Sequence, residues 1–320
     1  MIKRVDRELL APLEGQMAVV GGGLSQHGIP AMRAMNDQLN AAAKAQQPPV
    51  AGVTSVDRRV PGAPGEPDVA VRIYLPAERA AVLPALLWIH GGGYVVGNVE
   101  GTDLYVRQLV QAVGCLAVSV EYRRAPEAPF PAPLEDCYAA LKWLAANAAE
   151  LGVDPRRLAV GGASAGGGLA AGLALLARDR AEVAVMFQLL IYPMLDDRNI
   201  APASASVPDS LLWSRANNRI GWQAYLGAEP GGENVSAYAA AARAADLTGL
   251  PPAYIPVGEL DLFLNENIEY AARLIRAGVP AELHVYPGAY HGFENLAPGS
   301  AVGQRFVAER NEALRRAFQG

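Results

Sequence analysis

Beyond about residue 54 the chain alternates between two hydrophobic rhythms. Short runs rich in β-branched and aromatic residues, at 68–75, 85–89, 115–122, 158–161, 183–192, 253–257 and 282–286, read as strands. Between and after them, 102–113, 134–149, 165–178, 265–277 and 302–318 carry apolar residues at helical spacing. Stop signals agree with these bounds, since Gly278 follows one helix and Asp154-Pro155 reads as a turn. Strands alternating with helices predict an α/β fold with a mostly parallel sheet covered by helices.

Two stretches break the rhythm. Residues 1–50 are alanine-rich, helix-prone around 31–45, and close at Pro48-Pro49. Residues 196–225 follow a strand but carry Ser204, Ser206 and Pro208, then Trp213, Trp222 and Tyr225. Long insertions beside strand ends often act as lids, so both stretches read as cap segments. They divide one large catalytic domain into 51–195 and 226–320; a packed N-terminal helix is the plainer reading of the first.

Two glycine-framed motifs follow strand-like runs. His90-Gly91-Gly92-Gly93 comes after 85–89, and Gly162-Ala163-Ser164-Ala165-Gly166 comes after 158–161. Random occurrence would give roughly 0.1 copies of the second pattern and below about 0.01 of the first, so the pair is informative where either alone is weaker. The second is a nucleophile elbow: small residues permit a sharp strand-to-helix turn that lifts the Ser164 hydroxyl clear of the backbone. Neither a Walker lysine nor a G-x-G-x-x-G spacing supports a phosphate loop.

A serine hydroxyl needs a base in reach and a third group to orient that base. Four histidines are available. His27 lies in a cap segment, His284 in an alternating strand, and His90 is placed to brace its loop. Elbows of this type carry nucleophile, acid and histidine in that order along the chain, which selects His291, after the last strand. The acid then falls between them: Asp261, just past the run 253–257, with Glu259 and Glu266 as rivals. Backbone N–H groups of Gly91, Gly92 and Ala165 supply the oxyanion hole, and no metal or organic cofactor is called for.

Charge narrows the substrate. With 27 basic and 32 acidic residues the net charge is −5, without blocks of one sign, so nucleic acid and anionic membrane are not expected partners. Half the residues are hydrophobic, enough for a large core, yet no apolar stretch reaches the roughly 18 to 20 residues that span a bilayer. Cys115 and Cys137 lack metal or redox spacing and read as buried thiols. Without a secretory pattern, a cytoplasmic location is expected.

These motifs, with Glu121-Tyr122-Arg123-Arg124-Ala125-Pro126-Glu127, Gly258-Glu259-Leu260-Asp261 and Tyr290-His291-Gly292-Phe293, closely resemble the hormone-sensitive-lipase-like family of bacterial carboxylesterases over about residues 68–296. The resemblance implies an α/β-hydrolase fold: a mostly parallel, twisted sheet of eight strands flanked by helices, with a helical cap. It also implies hydrolysis of short- to medium-chain carboxylic esters through an acyl-enzyme, and frequent homodimers. Ala163 and Leu262-Phe263-Leu264-Asn265 depart from the residues usual in that family. An amidase, deacetylase or carbamate hydrolase would use the same triad; a non-catalytic small-molecule receptor would not need His291. Leu211, Leu212, Trp213 and Trp222 are expected either to wall the pocket or to pack the core.

Overall fold

The computed structural model describes residues 2–46, 50–200 and 211–320. Pro48-Pro49, Ser204, Ser206 and Pro208 lie outside them. Two helices, α1 (Arg7–Val20) and α2 (Leu24–Gln46), precede the sheet. There follow β1 (Val53–Val60), β2 (Val69–Pro76), β3 (Leu83–Ile89), α3 (Asp103–Val113), β4 (Leu116–Glu121), α4 (Ala132–Ala146), α5 (Ala148–Leu151) and β5 (Val153–Ala163). The chain continues through α6 (Ala165–Arg180), β6 (Phe187–Ile191), α7 (Arg215–Leu226), β7 (Ala253–Gly258), α8 (Leu264–Arg276), β8 (Ala281–Tyr286), α9 (Phe293–Leu296) and α10 (Ala301–Gln319).

The eight strands form one sheet in the order β1-β2-β4-β3-β5-β6-β7-β8. β2 runs antiparallel to both neighbours and the other pairs are parallel. Apolar content sets this order. β3 is buried at all seven positions, with Leu87 and Ile89 in the core on one face and Leu86 and Trp88 in the core on the other. The outermost strand β1 exposes all six residues between Val53 and Val60, and its Asp57, Arg58 and Arg59 discourage edge pairing.

Several local expectations change. β1 was not marked by any apolar alternation, because an edge strand buries only its two terminal valines. Asp154-Pro155 is not a turn but lies inside β5, where the register shifts between Leu83 and Ala85 of the partner strand; Pro155 falls in that irregularity and disrupts no regular ladder pair. The run 183–192 contributes only Phe187–Ile191 as strand, and 134–149 divides into α4 and α5 at Asn147. Residues 2–46 hold α1 and a kinked α2, broken at Gly28 (φ 75°), rather than one helix.

Parallel pairing aims the C-terminal ends of β3, β5, β7 and β8 at one edge of the sheet, where their loops converge. Above this edge α2 packs on α7, joined by a bond from the Ser25 N–H to Asn217 Oδ1 at 2.9 Å. Arg33 clamps α2 to the core: its guanidinium reaches the carbonyls of Val95 and Ala125, each at 2.7 Å, and pairs with Glu127. Cys115 and Cys137 are buried and free. Among the described residues no helix is long and apolar enough to cross a membrane.

Candidate active site

β5 passes directly into α6, and Ser164 turns the corner at φ 59° and ψ −121°. A residue with a Cβ holds such a conformation only when its surroundings force it. Here glycines supply the force by close approach. A Cβ on Gly166 would lie 2.1 Å from the Ile89 carbonyl oxygen, and one on Gly162 would lie 2.4 Å from the Gly166 carbonyl. The first turn of α6 is thereby seated against the end of β3.

Ser164 Oγ stands 2.9 Å from His291 Nε2, and His291 Nδ1 stands 2.7 Å from Asp261 Oδ2. Asp261 is fully buried, and its second oxygen accepts the Phe263 N–H at 2.9 Å. The loop after β7 therefore orients its carboxylate through its own backbone. The imidazole of His291 is held edge-on between Tyr192 and Phe263, with ring centres 4.6 and 5.2 Å away. Neither rival acid reaches it. Glu259 accepts from Arg4 and from the Gly288 N–H, while Glu266 accepts from the Leu195 N–H and from Asn199. His27 is exposed, and His284 sits between Glu282 and Glu309.

Gly91 and Gly92 border the same cavity as Ser164, whereas Ala165 lies buried behind it as the first residue of α6. A Cβ on Gly91 would be 3.4 Å from the Ser164 Cβ, and Gly92, at φ 118°, leaves no room for one beside the Val96 carbonyl oxygen, 2.1 Å away. His90 braces this loop as its place in the motif suggested. Nδ1 bonds the Gly91 carbonyl at 2.8 Å, the ring stacks on Tyr122 at 4.2 Å, and the Tyr122 hydroxyl donates to the His90 carbonyl. Burial pushes its pKa down to about 4, so the ring is neutral near pH 7.

Two residues of the site carry no motif. Tyr192 leaves β6 at φ 34°, lays its ring against His291, and donates to Glu294 Oε1 at 2.6 Å. Glu294 is buried, and burial raises its pKa. The loop bearing His291 is also held from the opposite end of the sequence. The Asp6 N–H donates to the Gly288 carbonyl at 3.0 Å, the Tyr290 hydroxyl to the Leu9 carbonyl at 3.1 Å, and Ala301 N–H to Glu8.

Over Ser164 lies a cavity of about 430 Å³. Leu212 and Trp213 border it, but Leu211 and Trp222 are core residues, Trp222 packing on Tyr94 and Tyr225. A family profile described as an alpha/beta hydrolase fold matches residues 86–295. The chain is an α/β hydrolase of the hormone-sensitive-lipase-like family. This α/β hydrolase is 36% identical over 266 residues to carboxylesterase NlhH of Mycobacterium tuberculosis, covering 82% of this chain and 83% of that one. It is 37% identical to esterase LipI of the same species, covering 76% and 75%. A solved bacterial heroin esterase superposes with a TM-score of 0.94 at 43% identity, covering 100% of this chain and 99% of that one. The esterase LipW from Mycobacterium marinum gives 0.86 at 37% identity, covering 100% and 98%.

Proposed function

We propose that this α/β hydrolase is a serine carboxylesterase whose triad is Ser164, His291 and Asp261. The unbroken path from serine hydroxyl through imidazole to a buried carboxylate carries the reading. Ser164 Oγ attacks the acyl carbon as His291 Nε2 takes its proton; the tetrahedral oxyanion is held by the N–H groups of Gly91, Gly92 and Ala165. His291 returns the proton to the leaving alcohol oxygen, and the acyl-enzyme is hydrolysed by a water that His291 deprotonates in turn. Asp261 keeps the proton on Nδ1 and stabilises the imidazolium.

The chain is a carboxylic ester hydrolase, in keeping with esterase relatives over most of its length. That record favours esters over amides or carbamates, and a complete triad gives a purely binding role no support. Short- to medium-chain esters suit the cavity's size. The described parts of residues 1–50 and 196–225 act as the cap, since α1, α2, Leu212, Trp213 and Asn217 border the cavity. The homodimer belongs to the same reading, and two buried free thiols suit the reducing cytoplasm.

Ser164→Ala tests the assignment. It should fold with an unchanged melting curve and lose at least about a thousandfold in kcat on p-nitrophenyl acetate and butyrate. Retention of most of the activity would remove Ser164 from the mechanism.

A further inference from the structure

The cavity over Ser164 has a direction. Its roof along α2 is Met32, Asn36 and Asn40, each one helical turn beyond the last, so the three form a stripe about 12 Å long on one side of the helix. Its opposite wall, from the segment that follows the glycine loop, changes in the same sense from Val96 to Asn98 and Thr102. Along these two walls hydrocarbon lies toward the glycines, and amides and a hydroxyl lie toward the far end; Gln16, Asn217 and Asn295 add polar groups elsewhere on the lining.

Charge is kept out of this groove. Among the described residues, none bordering the cavity is Asp, Glu, Lys or Arg. The charged residues of α2 are paired elsewhere: Arg33 with Glu127, Lys44 with Glu100, and Asp37 with the Asn98 amide at 3.0 Å. Those pairs fix α2 to the core, so the groove is part of the fold. Among the described residues the Asn36 side chain has no hydrogen-bond partner, and the Asn40 side chain has only a long one, 3.4 Å, to Asn98 Oδ1. Their amides remain available to a ligand.

We propose that the groove selects esters whose chain is hydrocarbon beside the scissile bond and carries an uncharged hydrogen-bonding group, such as a hydroxyl, about 10 Å further out. A plain alkyl end would strip water from the asparagine amides and replace none of its hydrogen bonds. A carboxylate end would be desolvated without a counter-charge, and close to the Asp37 carboxylate that Asn98 holds. The groove admits this chain on either the acyl or the alcohol side of the ester, a choice the substrates below separate. The inference rests on the serine esterase reading.

The experiment compares kcat/KM in the wild-type protein for matched esters. The acyl series is p-nitrophenyl decanoate, 10-hydroxydecanoate and the decanedioate monoester, with six- and eight-carbon counterparts; the alcohol series is decyl and 10-hydroxydecyl acetate. The hydroxyl should raise kcat/KM about three- to tenfold in one series, and the carboxylate should lower it by at least about tenfold. In Asn36→Leu/Asn40→Leu the hydroxyl advantage should vanish, with folding checked by the melting curve. Equal or lower rates for every hydroxyl ester, or a hydroxyl advantage unchanged in the double variant, would overturn the groove's role while Ser164-dependent p-nitrophenyl acetate turnover still stands. Absence of Ser164-dependent turnover on every ester would overturn the esterase reading, and this inference with it.

Discussion

His90 is a base that folding holds without its proton, and that has a measurable sign. In the unfolded chain an imidazole takes up a proton near pH 6.5, but in the buried site only near pH 4. Between those values the unfolded state binds more protons, so stability falls as the pH drops through that window, by about 3 kcal/mol at most. Urea unfolding at pH 7 and pH 4.5 should show that loss, and His90→Gln should reduce it. Glu294 acts in the opposite sense. Burial raises its pKa, so its contribution is present below the ordinary carboxyl range and is lost as the pH rises through the folded value. Replacing it by Gln should therefore flatten the stability profile above about pH 4.5. Ser164, His291 and Asp261 were legible because an elbow motif fixes the first and chain order constrains the others. Tyr192 and Glu294 were not, since their hydrogen bond joins positions 102 residues apart and no local pattern records it.

Among the elements, the junction of β5 and α6 concentrates the constraint. Three things meet there: the strained Ser164 backbone, the end of β3, and the start of a helix that is buried along nearly its whole length. Gly166→Ala places a methyl group against the Ile89 and His90 carbonyls, so α6 must move away from β3. Thermal unfolding should register a loss of about 1 to 3 kcal/mol, and ester turnover should fall with it because the serine moves relative to His291. A variant with wild-type stability and rate would show that the contact relaxes freely. Central strands and long helices were legible from their apolar content. β1 was not, because its six middle residues face water; nor was α9, a single turn whose place depends on α1 packed against it.

The whole molecule couples both of its N-terminal helices to its catalytic edge. Arg33 fastens α2 over the cavity, so Arg33→Ala should raise KM for esters more than it lowers kcat, and should speed chymotryptic cleavage within residues 7–46; unchanged KM and cleavage would mean that the other contacts of α2 hold it without Arg33. The coupling at the start of α1 joins residues 6–9 to the loop and helix of residues 288–301. A ribosome makes these partners nearly three hundred positions apart, 293 between Glu8 and Ala301. While the sheet's central strands are being synthesised, the early helix has nothing of that loop to grasp. On the proposed triad, a chain made only as far as residue 290 carries the serine and the aspartate but not the histidine.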